Sequence, residues 1–252
     1  MSVSIKSAKE IELMREAGRL LELVHEELAA NIRPGISTWE LNRIGEKMIR
    51  SFGCIPNFLN YNGYPASFCI SVNDEVVHSI PNKHKILKEG DIVSIDAGLI
   101  YKGMHSDAAR THAVGKISPE AQKLIDVTRQ SFFEGIKYAK AGNHLHDISN
   151  AIDAYVRPFG YGIVEELVGH GIGHALHEDP QIPNFAQRTK GIRLMPGKTL
   201  AIEPMINIGR PDVEWLDDDW TVVTEDGSLS AHYENTILIT EGEPEILSLT
   251  HR

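Results

Sequence analysis

The sequence predicts an α+β fold with pseudo-two-fold symmetry, made by duplicating one unit of two helices followed by strands. Three observations predict it. First, GDIVSIDAG from Gly90 to Gly98 is echoed by GKTLAIEPM from Gly197 to Met205; each opens on a glycine and ends an apolar run on a carboxylate, Asp96 or Glu203. Second, a shift of 107 residues carries Asp96 onto Glu203, and with it Gly35 onto Gly142, Arg50 onto Arg157, Phe52 onto Phe159, Gly53 onto Gly160 and Ile95 onto Ile202. Third, the helix-start signals recur in the same order in both halves. Glycine punctuation, helix starts and a terminal carboxylate that agree without a gap mark an internal repeat.

The elements follow in order along the chain. Ser7 and Glu10 form a capping box ahead of Ile11, Met14, Leu21, Val24 and Leu28, whose helical spacing predicts the first helix. Ser37 with Glu40 opens a second. The apolar runs IVSI and THAV then predict strands, joined by a hairpin whose turn falls at Lys102-Gly103 and which sets Asp96 facing Asp107. In the second half, Ser118 with Pro119 starts a helix, another follows Gly142, and TLAI and TILIT are the strands. A fold of this symmetry builds a site on its internal axis, to which both halves deliver a carboxylate from the end of an equivalent strand.

Composition limits what the site can serve. The 252 residues, 42% hydrophobic and 24% charged, suffice for one large domain or two small ones with ample core. A formal net charge of −10, with no offsetting run of Lys or Arg, repels a phosphate backbone and argues against direct nucleic-acid binding. No apolar run reaches the length of a membrane span or a signal core, so no membrane partner is expected and the cytoplasm is the expected location. Cys54 and Cys69 match neither a disulfide framework nor a zinc spacing, and are expected to be reduced core thiols.

The chemistry-bearing residues cluster at the strand ends. Two aspartates opposed across a hairpin require a proton, a hydrogen-bond network or a cation between them, whereas an exposed edge with solvated acids would give the same spacing. GHGIGHALHEDP, residues 169 to 180, holds His170, His174 and His177. The spacing of His170 and His174 resembles a zinc-protease helix, but Gly171 and Gly173 disfavour helix and no Glu follows His170. The glycines instead predict a sharply turning backbone with the histidines aimed into one space. Glu203 in AIEP and Glu234 in AHYENTILIT bring the carboxylates to four. With an imidazole, they suffice for two divalent ions that share bridging groups and bind and deprotonate water. The aromatics of NFLNYNGYPASFC, read alone, are buried packing.

SVNDEVVHSIP, GDIVSIDAGLIYKGMHSDAART, GHGIGHALHEDP, LAIEPM and SLSAHYENTILIT closely resemble the motifs of the type I methionine aminopeptidases, and the likeness runs almost the full length. The resemblance implies the duplicated pita-bread (creatinase/aminopeptidase) fold, a central antiparallel sheet covered by helices. It implies a single catalytic domain over 1–252 with halves of about 1–107 and 108–252. The implied activity is removal of the initiator methionine from nascent proteins and peptides by a water activated at a two-metal centre. Asp96, Asp107, His170, Glu203 and Glu234 would be the ligands. By the same resemblance Asp107 and Glu234 bridge both ions, His170 and Glu203 complete one and Asp96 the other, with Glu203 also the proton shuttle. His78 would contact the substrate backbone near the scissile amide and His177 would stabilise the oxyanion; His174 receives no role. Phe58, Tyr61, Tyr64, Cys69 and Trp220 would line the methionine pocket, and Leu176 departs from the aromatic residue expected beside His177. Cobalt, manganese, iron and zinc all accept this ligand set. The expected partners are nascent N-termini with a small second residue, with the ribosome as a candidate contact, and the expected state is a monomer. Two rivals share the fold. An Xaa-Pro aminopeptidase or prolidase usually carries an additional N-terminal domain, for which the chain has no room; a non-catalytic binding module lacks the metal ligands, all present here. Only 63 residues separate His170 from Glu234, which argues against the helical insertion of the type II enzymes.

Overall fold

The computed structural model describes residues 4–249. Helix α1 (Ala8–Asn31) and helix α2 (Thr38–Ser51) both start on the capping boxes read from the sequence, at Ser7/Glu10 and Ser37/Glu40. Helix α3 (Pro119–Ile136) begins with Ser118 accepting from the Ala121 N–H and with proline in the first turn. Helix α4 (Leu145–Val156) is capped from the other direction, by the Asp147 carboxylate on the His144 N–H at 2.8 Å.

Seven strands position the site: β1 (Phe68–Val72), β2 (Ile92–Tyr101), β3 (Met104–Ala113), β4 (Gly169–Gly171), β5 (Glu178–Ile182), β6 (Thr199–Ile202) and β7 (Glu234–Leu238). Among the described residues they belong to one nine-stranded sheet, in which β2, β3, β7, β6, β4 and β5 lie side by side in that order and β1 also pairs with β2. Every pairing among them is antiparallel. The approximate two-fold axis therefore runs between β3 and β7.

The repeat is visible in the backbone itself. Leu145 stands 107 positions after Thr38 at the start of the equivalent helix, and Thr199 stands 107 after Ile92 at the start of the equivalent strand. An isolated bridge between Ser37 and Ile86 recurs between His144 and Arg193. The hydrogen bond from Gly35 N–H to Leu87 O recurs from Gly142 to Leu194, and the one from Leu87 N–H to Ile36 O recurs from Leu194 to Asn143. The first helices depart from this spacing, since the cap Ser118 stands 111 positions after Ser7, and after β6 the tight Lys102-Gly103 turn of the first half is replaced by residues 205–233. Strand β3 runs through Asp107 to Ala113.

Strand alternation separates core from chemistry. Ile95, Ala97 and Leu99 of β2 and Ala108 of β3 are buried against Leu21, Val24 and Leu28 of α1 and Leu41 and Ile49 of α2. Leu200 and Ile202 of β6 and Ile237 of β7 pack with Leu124 and Phe132 of α3 and Ile148 and Ile152 of α4. The intervening side chains, which include Asp96, Asp107 and Glu234, must then leave the opposite face of the sheet. Gly18 of α1 permits the close approach on the helix side: a Cβ there would stand 2.0 Å from the Leu247 carbonyl oxygen, which outweighs the gain of about 1 kcal/mol that alanine brings to a helix interior.

Candidate active site

The hairpin joining β2 and β3 turns at Lys102 and Gly103, both with positive φ, as expected. Its register corrects one expectation. Asp96 pairs with Ala109 and Asp107 with Gly98, so the two aspartates are diagonal neighbours on one face rather than directly opposed. The turn is centred one residue later than the midpoint of the aspartate pair, which displaces the partners by two positions. Their carboxyl groups remain close enough that the charge of Asp96 raises the Asp107 pKa. Glu234 on β7 pairs with Ala109, Glu203 follows the last residue of β6, and His170 on β4 pairs with Ala201.

These elements bring oxygen and nitrogen ligands together. One ligand atom each from Asp107, His170 and Glu234 lies within 4.8 Å of the others. His170 Nε2 is 3.5 Å from Glu203 Oε1. The other ring nitrogen, Nδ1, is 2.9 Å from the Gly171 carbonyl oxygen. A carbonyl only accepts, so Nδ1 carries the proton and the Nε2 lone pair faces the carboxylates, as a metal-binding imidazole requires. Burial, then the neighbouring His177, pushes the His170 pKa down to about 3, so the ring is neutral.

The carboxylates are held where they cannot all ionise unaided. Burial raises Asp96 to about 7. Burial, then the charges of Asp96 and Glu203, pushes Asp107 well above the usual carboxylate range; burial, then Asp107, Glu203 and Asp96, does the same to Glu234. Glu203 rises through burial and then Asp96. Asp96 Oδ1, Asp107 Oδ1 and Glu234 Oε1 are buried acceptors with no hydrogen-bond partner. Each such orphan costs about 1–3 kcal/mol, and a divalent cation would satisfy all of them at once. Hard and borderline divalent cations fit this donor set of carboxylate oxygen and imidazole nitrogen.

The surrounding structure fixes these groups from behind. Thr236 Oγ1 donates to Asp107 O and accepts from the Asp107 N–H, both at 2.9 Å, which locks β3 to β7. The buried Arg110 guanidinium donates to the carbonyls of Ala109, Glu234 and Ser248 and to Asn235 Oδ1, and so braces the backbone beneath Glu234.

A cavity of about 200 Å³ opens over the carboxylates, and it is lined by every site residue named from the sequence. One side is polar, with Asp96, Asp107, His170, Glu203 and Glu234. The other is apolar, formed by Phe58, Tyr64, Cys69 and Leu176 with Tyr61 and Trp220 packed against them. Tyr64 is held by hydrogen bonds at 3.0 Å to the carbonyls of Phe68 and Ser79, and it meets the Trp220 ring edge-on with centroids 5.1 Å apart. Leu176 occupies the place beside His177 and is buried in this wall, so the pocket keeps an apolar lining there without an aromatic ring. Asn62, in left-handed backbone at φ 50°, also lines the cavity.

Two histidines rim the cavity. His177 Nδ1 is 2.7 Å from the Tyr61 hydroxyl, and its ring stands edge-on to His170 with centroids 4.3 Å apart. Burial, then Asp107, raises the Tyr61 pKa, so the phenol keeps its proton. With that hydroxyl donating to Nδ1, a neutral His177 would carry its proton on Nε2. His78 adopts left-handed backbone, φ 58°, a conformation that costs a non-glycine residue on the order of 1–3 kcal/mol and concentrates at functional sites. Burial, then His177, lowers its pKa to about 4, so it too is neutral.

Sequence reasoning passed over His232. It is almost wholly buried, its Nε2 stands 3.8 Å from Glu203 Oε2, and neither ring nitrogen has a hydrogen-bond partner. Its only signal was its place inside the motif that holds Glu234. His174, which received no role, lies outside the cavity, with Nε2 2.7 Å from Glu10 Oε1. Cys54 and Cys69 are free and buried, and among the described residues no helix is long and apolar enough to cross a membrane.

A duplicated sheet with helices on one face and crowded carboxylates on the other defines a class, and comparison with known proteins agrees. Residues 12–241 match metallopeptidase family M24, to which this chain belongs. Within that family it falls among the methionine aminopeptidases: the one from Clostridium perfringens strain 13 is 53% identical over 98% of this chain and 99% of its own length. The solved methionine aminopeptidase of Thermotoga maritima superposes with a TM-score of 0.96 at 43% identity, over 98% of this chain and 99% of that one. The prolidase from Pyrococcus furiosus has the same fold, with a TM-score of 0.77 at 23% identity, covering 98% of this chain and 66% of that chain.

Proposed function

We propose that this protein removes N-terminal methionine from nascent proteins and peptides by metal-dependent hydrolysis. The observation that carries this reading is one cavity in which an apolar lobe adjoins a cluster of buried, partnerless carboxylate oxygens. Asp107 and Glu234 would be shared between two divalent ions, with His170 and Glu203 completing one site and Asp96 the other. Cobalt, manganese, iron or zinc would each suit this donor set, with cellular supply deciding among them. Such ions, when bound, supply Lewis acidity and make water nucleophilic near neutral pH.

The chain's own groups do the remaining work. Phe58, Tyr61, Tyr64, Cys69 and Trp220 hold the methionine side chain; polarizable aromatic and sulfur groups suit a thioether. His78 contacts the substrate backbone beside the scissile amide. His177, with its proton on Nε2, donates to the carbonyl oxygen as negative charge develops. Glu203 carries the proton to the departing amine. The reading includes one catalytic domain over 1–252, action in the cytoplasm as a monomer on N-termini with a small second residue, and the ribosome as a candidate contact; neither membrane nor nucleic acid is a partner.

A peptide panel tests it. Met-Ala and Met-Gly peptides are expected to be cleaved, norleucine partly to replace methionine, and Met followed by a large residue to be rejected. Leu-initiated peptides should be poor, since one methylene in an apolar pocket changes selectivity by about 10- to 200-fold. Faster cleavage of Ala-Pro than of Met-Ala peptides by the metal-loaded protein would hand the reading to an Xaa-Pro peptidase, and cleavage of neither to a binding module.

A further inference from the structure

The segment before α1 lies across the loop that carries His177. The Lys6 N–H donates to Gly197 O at 2.8 Å, and the Lys6 side chain runs over Gly173, where a Cβ would stand 1.9 Å from Lys6 Cε. The Lys6 ammonium, with no exposed side-chain surface, reaches Glu178 Oε2 at 2.6 Å. Ser4 Oγ donates to the same oxygen at 2.6 Å. The other oxygen, Oε1, accepts the backbone N–H of His174 at 2.6 Å and of Ala175 at 3.2 Å. One carboxylate therefore closes the 174–178 turn from within and ties it to the N-terminal segment.

Two further ties hold the same loop. His174 joins Glu10 at the first turn of α1, and the His105 N–H of β3 donates to Gly173 O at 2.8 Å. Neither Lys6 nor Glu178 lines the cavity, whereas His177, next to Glu178 in the chain, does. His177 is the last residue of the bend that Glu178 closes, immediately before β5, so fixing the Glu178 carboxylate outside the cavity also fixes the backbone from which the imidazole enters it. A buried ammonium is costly unless paired, and apolar contacts could fasten a strap as well. What the ion pair adds is a defined position for the carboxylate that closes the turn.

We propose that Glu178, held by Lys6 and Ser4, is a positioning residue for His177: it sets the direction in which the imidazole donates to the substrate carbonyl. The proposal rests on the oxyanion role given to His177 above.

The test is a double-mutant cycle in the metal-loaded enzyme, with Lys6→Met and Glu178→Gln made alone and in combination with His177→Ala. Lys6→Met is expected to lower kcat for a Met-Ala peptide about tenfold with KM within about twofold, the signature of a misplaced transition-state donor. In the His177→Ala background, Lys6→Met should change kcat no further, because the strap acts only through the missing ring. Glu178→Gln, which keeps an acceptor for the two turn amides, should lose less than Glu178→Ala and supplies the same comparison should Lys6→Met not fold. The His177 ring resonances in nitrogen-edited NMR of folded Lys6→Met should shift from their wild-type positions, a readout independent of turnover. Wild-type kcat in Lys6→Met, an equal further loss in the His177→Ala background, or unmoved His177 resonances would each overturn the proposal. Failure of the wild-type enzyme to release methionine would instead defeat the activity assigned above, and the NMR comparison would still decide the positioning role.

Discussion

Asp107→Asn is expected to abolish methionine release and to disturb both metal sites at once. Asp107 is buried at the centre of the cluster, between Asp96 and the ligand atoms of His170 and Glu234, and one of its oxygens has no protein partner. An amide in its place keeps the size but not the charge and offers one oxygen instead of two. A Lewis acid worth several kcal/mol, at about 1.4 kcal/mol per tenfold in rate, corresponds to a fall of about a thousandfold or more. Asp96→Asn should chiefly weaken one ion. Metal analysis of each variant decides the matter; two tightly held ions per chain in the Asp107 variant would defeat the bridging assignment.

His177→Ala is expected to lower kcat by about a hundredfold, the typical loss when one preorganised oxyanion donor is removed, with a much smaller change in KM. The ring stands at the cavity rim, and its outward contact is the Tyr61 hydroxyl, so the fold should survive. A variant that kept near-normal turnover and melted at a lower temperature would assign His177 to structure instead.

Much of the fold could be read locally. Ser7/Glu10, Ser37/Glu40 and Ser118-Pro119 act within one turn of chain, and Lys102-Gly103 has the left-handed backbone that a tight hairpin requires. The repeat was legible because Gly35, Gly53 and Gly90 recur as Gly142, Gly160 and Gly197 at one spacing that also carries Asp96 onto Glu203. The exact pairing of Asp96 and Asp107 was not, since a turn centred one residue later displaces every partner across the hairpin by two positions, and nothing within the strands marks that centre. Residues 205–233 escaped for a similar reason: the repeat has no counterpart for them.

For the site, the carboxylates and His170 were legible as residue types at strand ends, and their assignment to roles came through family resemblance. What stayed hidden depends on contacts between residues far apart in sequence. Lys6 and Glu178 are separated by 172 positions and meet only once the N-terminal segment crosses the loop. His232 meets Glu203 only because residues 205–233 fold back onto the site. Positive φ at His78 is likewise imposed by tertiary structure, for no glycine or asparagine announces it.

The most direct measurement of the central claim is methionine release from a Met-Ala peptide, followed while protein stripped of metal by a chelator is titrated with Mn(II) or Co(II), with bound ions per chain determined in the same samples. The account predicts no release from the stripped protein, recovery that follows ion binding, and no recovery when Asp107→Asn or Glu234→Gln is titrated in parallel. Full methionine release by the metal-free protein, or recovery unaffected by losing either carboxylate, would contradict it.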